Sequence, residues 1–287
     1  MVKKWALRVF LVLLGAALIF AAYAFYQLRS RGFLRLPSYE TSPPAIPPLP
    51  GRPAILVFSK TGAFIHKEAI PAAEAMFTML AEKNGWSVFI TENGAVHNPE
   101  DLAKFDTVIW NNATGNVINE SQQQALVDYL AGGGGWIGIH GAGDSSSDWE
   151  WYNRELIGAE FIGHPMNPQF QQARIVIERP GDSIVAHLGS EWIRTDEWYS
   201  YADSPRKHGK IILANLDEAS YSPFFFDEDI RMGDDHPIIW KHCPGAGRAF
   251  YSALGHTAES FTESAYVTVL EKAVLWTTGR EGRDCRD

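Results

Sequence analysis

Apolar runs alternate with stretches of helical periodicity in residues 54–139. The run at residues 54–59 is apolar up to its last position, which is typical of a parallel strand buried on both faces. Apolar positions then recur at helical spacing from Pro71 to Asn84. A proline in the first turn and Asn84-Gly85 at the end are typical of helix boundaries. The pattern predicts a first strand–helix unit.

Three more strands are predicted at similar spacing. Asn119 and Gln122 form a capping-box pair that predicts the start of the helix between the last two of them. Strands that alternate with helices in this way predict a doubly wound, mostly parallel α/β sheet with right-handed crossovers. The three strands are residues 87–91, 107–110 and 136–139.

The second half of the sequence has a looser pattern. A tryptophan-rich segment precedes strands that are separated by loops rather than by helices. Residues 261–278 predict a last helix that packs back on the sheet, so we expect one domain. The predicted strands of this half are residues 174–178, 197–201, 210–215, 238–241 and 248–253.

The amino terminus has the composition of a membrane-inserting segment. Residues 9–26 carry no charge, and 18 residues is about the shortest span that crosses a bilayer core. We predict that residues 1–36 form an uncleaved membrane anchor, with the following domain outside the cytoplasm, in the periplasm. A cleaved signal peptide and a secreted domain are the alternative, because Ala22-Tyr23-Ala24 fits the small-x-small cleavage pattern.

A proline-rich stretch separates this segment from the globular part. Seven of the 17 residues at positions 37–53 are prolines, a composition that favours extended segments and predicts a linker. The domain itself is predicted at residues 54–280. Residues 281–287 are predicted to be a charged tail.

The charge distribution excludes one class of partner. Six of the 25 basic residues and none of the 34 acidic ones precede Leu36, so the rest of the chain has 19 basic against 34 acidic residues. This part would repel phosphate backbones and anionic lipid headgroups. We expect no nucleic acid partner, and a domain that stands off the membrane to which the amino-terminal helix attaches it.

The two cysteines, Cys243 and Cys285, are too few for a disulfide scaffold. Their number allows one bridge. Since Cys285 lies in the charged tail, we expect two unpaired thiols.

Seven motifs follow one another along residues 54–279. Together they resemble the ThuA-like (trehalose utilisation) family, whose fold is a variant of the class I glutamine amidotransferase fold. The resemblance implies a flavodoxin-like sheet of that kind and a role in carbohydrate metabolism. The motifs are Gly62-Ala-Phe-Ile-His66, Asn111-Asn-Ala-Thr-Gly115, Gly134-Gly-Trp-Ile-Gly-Ile-His140 with Asp144, Gly158-Ala-Glu-Phe-Ile-Gly-His-Pro165, Arg194-Thr-Asp-Glu-Trp-Tyr199, Met232-Gly-Asp-Asp-His-Pro-Ile238 and Tyr251-Ser-Ala-Leu-Gly-His256.

The resemblance also implies what the protein is not. In the amidotransferases the strand-to-helix elbow carries a nucleophilic cysteine, whereas the pattern Gly138-x-His140-x-Ala142 has histidine there. Cys243 lies in a different stretch. Glutamine hydrolysis through a thioester is therefore excluded. His256 ends a late strand much as the amidotransferase histidine does.

Histidines and carboxylates at strand ends predict the functional site. The carboxyl ends of parallel strands meet at one edge of a sheet, which is where ligands bind. Five of the nine histidines lie in glycine- or proline-bounded turns, and a histidine can transfer a proton or bind a metal. The predicted catalytic residues are His140, His256, Asp144 and Glu197. A divalent cation, zinc or manganese, is predicted on His164, His236 and Asp235, although a metal-free acid/base pair explains the same residues.

Aromatic residues beside these polar groups agree with the carbohydrate ligand that the resemblance implies. A flat side chain covers the C–H face of a sugar ring while its neighbours hydrogen-bond the hydroxyls. The predicted substrate-binding residues are His66, Asn111, Asn112, Thr114, Trp149, Trp151, Trp198 and Tyr199.

The sequence thus favours a membrane-tethered enzyme of carbohydrate catabolism. It would hydrolyse, eliminate or isomerise a glycoside or a keto-disaccharide of the trehalose type, with the trehalose link implied by the resemblance. A keto group acidifies the neighbouring C–H bond, so a histidine base suffices for elimination without a covalent nucleophile. A non-catalytic sugar-binding protein is the alternative, and a structural domain that holds a partner near the membrane is a third interpretation.

Overall fold

A long amino-terminal helix precedes a mixed α/β domain. The computed structural model describes residues 2–33, 35–144 and 148–282, with side chains from residue 4 onward. Helix α1 spans Val2–Ser30, and the domain that follows is built on a nine-stranded sheet. Most of the predicted charged tail, residues 283–287, lies outside the described residues.

The first part of the domain alternates strands and helices as the sequence predicts. Its elements are β1 (Ala54–Phe58), α2 (Ala69–Asn84), β2 (Ser87–Thr91), α3 (Pro99–Leu102), β3 (Thr107–Asn111), α4 (Glu120–Ala131) and β4 (Gly135–Ile139). Every residue of β1, β3 and β4 is buried, so both faces of this half of the sheet are covered. The predicted capping box of Asn119 and Gln122 at the start of α4 is confirmed.

The second part consists mainly of strands joined by loops and short helical turns. Its elements are β5 (Phe161–Gly163), β6 (Phe170–Ile177), β7 (Glu191–Glu197), β8 (Ser200–Tyr201), β9 (Ile211–Asp217), β10 (Phe224–Phe225), β11 (Glu228–Asp229), β12 (Pro237–His242), β13 (Arg248–Ser252) and α5 (Ser264–Thr277). The sequence marks only part of β6 and β7, because alternate residues of this hairpin face solvent and no continuous apolar run forms.

The large sheet has the strand order β2-β1-β3-β4-β13-β12-β9-β6-β7. The first four pairings are parallel and the last four antiparallel, so that seven of the nine strands point the same way. The prediction of an α/β domain with a large, mostly parallel sheet is confirmed. The carboxyl ends of the parallel strands therefore share one edge.

Helix α1 carries the apolar segment. Lys4–Ser30 is long and apolar enough to cross a membrane, and no residue of its most apolar 18-residue window is buried in the structure. Just after the helix, the Arg31 carbonyl accepts a hydrogen bond from the Ile65 amide at 2.9 Å. The end of α1 thus meets the domain at the turn after β1.

The proline-rich stretch lies along the domain. The Glu40 carboxylate accepts from Lys60 Nζ at 2.7 Å and from the Gly94 amide at 2.8 Å. Ile46 and Leu49 pack against the hydrophobic core. The stretch is therefore held to the surface and does not act as a free spacer in this structure.

Cys243, just after β12, is disulfide-bonded, and no described cysteine is a free thiol. The expectation of two unpaired thiols is therefore wrong for Cys243, while Cys285 lies outside the described residues. Linear spacing does not show which segments meet in a fold, so it could not indicate this bond.

Candidate functional site

His140 occupies a sharp turn at the carboxyl end of β4. Its φ angle is +44°, in the left-handed region that non-glycine residues rarely adopt. A Cβ at Gly143 would lie 2.1 Å from Tyr251 Oη, and this hydroxyl donates to the His140 carbonyl at 2.8 Å. Strained backbone of this kind concentrates at functional positions. Here it places a fully buried imidazole at the sheet edge.

Side chains from separate strand ends meet at His140. Its Nε2 lies 3.0 Å from His256 Nδ1 and 3.2 Å from Glu197 Oε2, and the last two atoms are 2.9 Å apart. His66, from the turn after β1, packs against both histidine rings with centroid distances of 4.8 and 4.6 Å. One ligand atom from each of the four side chains lies within 4.8 Å of the others. We call His66, His140, Glu197 and His256 the histidine cluster.

The three short contacts of the cluster join atoms that are all possible metal ligands. The Ala253 carbonyl can only accept, so His140 Nδ1, 2.7 Å away, carries a hydrogen and leaves Nε2 to face the cluster. His140 Nε2, His256 Nδ1 and Glu197 Oε2 lie 2.9–3.2 Å from one another. Imidazole nitrogen and carboxylate oxygen bind divalent cations, so these atoms can share either protons or a cation.

The spacing of these atoms fits a divalent cation. Zinc binds imidazole nitrogen at about 2.0–2.1 Å, and tetrahedral ligands at this distance stand about 3.3 Å apart. The three short separations in the cluster are 2.9, 3.0 and 3.2 Å. Within the described residues, this is the one group of three or more His, Cys, Asp and Glu side chains with metal-ligand spacing.

His66 is a neutral imidazole suited to a fourth ligand. Burial, with the nearby His140 and His256 rings, lowers the pKa of His66 well below its usual value. Its Nδ1 is buried and has no hydrogen-bond partner in the described part of the chain. Metal ligation requires a neutral imidazole, and an unpaired buried nitrogen costs free energy.

Glu197 is held as a carboxylate. Burial alone would raise its pKa, but hydrogen bonds from His140 and His256 keep the pKa well below the usual range. Its second oxygen, Oε1, accepts from Gln169 Nε2 at 2.5 Å and lies 3.1 Å from His164 Nδ1. The His164 side chain is 22 % exposed and that of His256 12 %, so this side of the network faces the opening.

Asp144 is a second carboxyl in the site, and its pKa is shifted in the opposite direction to that of Glu197. It ends the short helical turn that begins at His140, and its carbonyl accepts from the Gly115 amide at 3.2 Å. Burial raises the pKa of Asp144 to about 6, although the nearby His140 opposes this. A pKa near the working pH suits a general acid or base. Glu197 and Asp144 therefore have environments that push their pKa values apart, as in sites where two carboxyls take different roles.

Asn112 ties together the turns that carry two cluster histidines. Its Oδ1 accepts from the Gly141 amide at 3.3 Å, and its Nδ2 donates to the Gly255 carbonyl at 3.3 Å. These residues adjoin His140 and His256 in the chain. The buried amide thus fixes the spacing of the two turns.

Asn111 and Thr114 have similar positioning contacts. Thr114 Oγ1 donates to the Phe64 carbonyl at 2.7 Å, two residues before His66. Asn111 Nδ2 donates to Ser59 Oγ at 3.1 Å. Both side chains are buried beside the cluster, and their contact with substrate stays a prediction.

Of the four predicted aromatic sugar-binding residues, one packs its ring against the histidine cluster and three make their ring contacts elsewhere. The Tyr199 ring lies against the His140 ring with a centroid distance of 4.2 Å and forms part of the site wall. Trp198 is fully buried, and its Nε1 donates to a backbone carbonyl of β6 at 3.0 Å. Trp149 and Trp151 stack on each other at 5.4 Å and pack against the core. No ring contact between these three tryptophans and the cluster is present among the described residues.

Two of the three predicted metal ligands lie apart from the cluster. The His236 ring nitrogens face Glu218 Oε1 at 2.7 Å and a backbone carbonyl at 2.8 Å. Asp235 forms a salt bridge with Arg206 at 3.0 Å near the surface. His164 alone contacts the cluster. All three residues lie in predicted turns. The sequence does not show which of these turns meet at the cluster, and only the fold does.

Asp196 was not among the predicted site residues, but it fixes the turn that carries His256. Its carboxylate is fully buried and accepts from the Gly255 and His256 amides at 2.9 and 3.2 Å. Arg194 Nη2 pairs with the same carboxylate at 3.0 Å. The signal in the sequence is the i, i+2 spacing of these two charges, which places them on one face of a strand.

Comparisons with known proteins give one family and several related folds. The sequence profile of the family ThuA, described as trehalose utilisation, matches residues 54–277. Among solved structures, the chain is similar to a ThuA-like protein from Bacteroides uniformis, with a TM-score of 0.69 and 23 % identity over 82 % of this chain and 95 % of that one. It is also similar to a ThuA-like protein from Parabacteroides merdae, with a TM-score of 0.62 and 16 % identity over 80 % of this chain and 91 % of that one. No curated protein sequence matches the chain.

Proposed function

Because the chain belongs to the trehalose utilisation (ThuA) family, we propose that it is an enzyme of carbohydrate metabolism whose histidine cluster holds a divalent cation, zinc or manganese. The substrate is a glycoside or a keto-disaccharide of the trehalose type, and the reaction is a hydrolysis, elimination or isomerisation. The observation that carries the proposal is the convergence of His66, His140, Glu197 and His256, whose ligand atoms lie within 4.8 Å of one another.

The cluster and Asp144 divide the chemistry between them. A cation held by His66, His140, Glu197 and His256 would supply Lewis-acid polarisation of a sugar oxygen. Asp144, with a pKa near 6, gives or takes the proton. On a keto sugar the carbonyl oxygen would be the group to polarise, because its polarisation would further acidify the neighbouring C–H bond. No cysteine nucleophile is required for this reaction.

His164 and Tyr199 are proposed to face the substrate. The His164 side chain is polar and 22 % exposed beside Glu197, so it can hydrogen-bond a sugar hydroxyl at the opening. The Tyr199 ring covers one side of His140 and limits water access there. Neither residue is needed to hold the cation.

We further propose that the domain is tethered by α1 outside the cytoplasm. The exposed apolar surface of α1 supports a membrane span. A disulfide at Cys243 supports an oxidising compartment, where such bonds persist. The contacts of α2 with α5, through Asn84 and Glu271, and of α3 with α4 support a doubly wound arrangement with helices on both faces.

Turnover assays test the function directly. Purified full-length protein in detergent is incubated with trehalose and with its keto derivatives, as isolated, after chelation, and after zinc or manganese is restored. We expect turnover of at least one sugar, loss after chelation and recovery with the cation. His140→Ala should abolish turnover, whereas His208→Ala, at an exposed histidine away from the cluster, should leave it unchanged. Sugar binding without turnover would favour the binding-protein alternative, and turnover that survives chelation would contradict the metal.

A further inference from the structure

The end of α1 packs closely against the turn that carries His66. Gly32 has a φ angle of +93°, and a Cβ there would lie 1.8 Å from the Ala63 carbonyl oxygen and 2.9 Å from Ile65 Cγ1. Any side chain at position 32 would therefore push this joint apart. Together with the hydrogen bond between the Ile65 amide and the Arg31 carbonyl, the close contact fixes the helix end one residue from His66 in the domain.

The joint places this turn near the membrane surface. The uncharged stretch of α1 ends at Tyr26, and Arg31 follows five residues later, a distance of about 8 Å at 1.5 Å per residue. The headgroup layer on each side of a bilayer is about 5–8 Å thick. Arg29, Arg31 and Arg35 are exposed around the helix end, where basic side chains meet lipid phosphates.

Two exposed phenylalanines and one half-buried phenylalanine lie between the helix end and the opening of the site. The Phe33 and Phe64 rings are 5.9 Å apart, and Phe64 lies 6.1 Å from the His256 ring. The Phe170 ring lies 5.0 Å from the His256 ring. Phe33 is 44 % exposed and Phe170 42 %. We call Phe33, Phe64 and Phe170 the aromatic rim.

We propose that the aromatic rim rests on the bilayer surface, so that the site takes a sugar carried on a membrane lipid. We assign the bilayer as the partner of the rim because α1, the helix that enters the membrane, ends against the rim itself. Such a lipid would be neutral, since the domain is acidic overall. The position of the rim rests on the proposed membrane span of α1, and the choice of a glycolipid substrate rests on the proposed carbohydrate function.

This placement differs from the expectation that the domain stands off the membrane. The expectation came from the net charge of the domain alone. The structure holds the linker on the domain and brings the helix end to the site.

Fluorescence quenching measures the depth of the rim. Full-length Phe170→Cys carries a bimane label in phosphatidylcholine vesicles that contain lipids with a headgroup-level nitroxide. Glu82→Cys, at an exposed position near the end of α2 on the opposite edge of the sheet, is the matched control. We expect quenching at least threefold stronger at position 170 than at position 82. Equal quenching at the two positions would overturn the proposal.

The joint itself gives a second test. Gly32→Val should reduce quenching at position 170 to the level of the control while the protein stays in the vesicles. Gly15→Val is the matched substitution, because a Cβ at Gly15 meets nothing within 4 Å. It should leave the quenching unchanged. Full quenching in Gly32→Val would show that the joint does not position the rim.

The substrate is tested with glucosyl diacylglycerol in the same vesicles against methyl glucoside in solution. We expect the lipid-bound sugar to be turned over with a kcat/KM at least tenfold higher, and Gly32→Val to remove this preference. A preference for the soluble sugar would overturn the glycolipid inference alone. If trehalose or a keto derivative is turned over and neither of these two sugars is, the glycolipid inference alone fails. If trehalose and its keto derivatives are not turned over either while position 170 is quenched, the proposed function fails and the placement of the rim stands.

Discussion

Replacing Asp144 by asparagine should stabilise the folded domain above pH 6 while it abolishes turnover. Burial raises the pKa of Asp144 from 3.8 to about 6. Between these values the folded state keeps a proton that the unfolded chain has lost. The carboxyl therefore makes the protein less stable as pH rises from about 4 to 6, and the loss is complete above pH 6.

The size of this effect follows from the two pKa values. One pKa unit corresponds to about 1.36 kcal/mol, so the full difference is about 3 kcal/mol. Asp144 is only partly buried, and the solvent contact reduces the expected gain to about 2 kcal/mol. Asparagine keeps the shape but has no charge to desolvate.

Urea unfolding of the metal-free protein at pH 4, 5, 6 and 8 measures this gain. Chelation matters because a bound cation would itself favour the charged carboxylate. Asp144→Asn should match the wild type at pH 4 and exceed it by about 2 kcal/mol at pH 8. The control Asp227→Asn, at an exposed position, should stay within about 0.5 kcal/mol of the wild type at every pH.

The same variant separates stability from catalysis. Turnover should fall by about 100-fold or more, because the proton donor is lost, while the metal content stays unchanged. A constant stability difference between pH 4 and 8 would refute the reasoning about burial. Normal turnover in a stabilised variant would refute the role as acid or base.

Three further predictions concern the cation and the core. Zinc at 1,000 times its dissociation constant should stabilise the protein by about 4 kcal/mol and raise Tm by about 8–16 °C in differential scanning calorimetry; an unchanged Tm would mean that zinc does not bind the folded state. Gln169→Leu removes the hydrogen bond to Glu197 Oε1 and should weaken zinc binding by about 10–100-fold, measured by chelator competition. An unchanged dissociation constant would show that this contact does not orient the carboxylate. Trp198→Phe should lower the free energy of unfolding by about 1–2 kcal/mol, because a buried carbonyl loses its hydrogen-bond donor, and kcat/KM should not change. A tenfold loss of kcat/KM at normal stability would show instead that Trp198 contributes to substrate binding.

The sequence predicts the parallel half of the fold well for a physical reason. Strands buried on both faces leave continuous apolar runs, and α4 begins at a capping box that is visible in four residues. The β6–β7 hairpin is harder to predict, because Ile193 and Val176 point to solvent and break the expected pattern.

The sequence shows which candidate residues follow strand ends, but it does not show which of these residues contact one another. His140, His256 and Glu197 were singled out for catalysis, and the structure brings them together. Their spacing is that of metal ligands, whereas His236 has its own buried partner. Which turns converge depends on long-range packing, and no local motif records it. Trp198 shows the same limit, since core and ligand-facing tryptophans look alike in sequence.

Metal stoichiometry tests the central claim most directly. Full-length protein without a histidine tag is purified in detergent, incubated with zinc or manganese, dialysed and measured by elemental analysis. A His140→Ala, His256→Ala double variant and a His208→Ala control are treated alike, with circular dichroism to confirm that each is folded. We predict about one cation per chain in the wild type and the control, and none in the double variant. A wild type without a tightly held cation, or a double variant that retains it, would contradict the assignment of the histidine cluster as a metal centre.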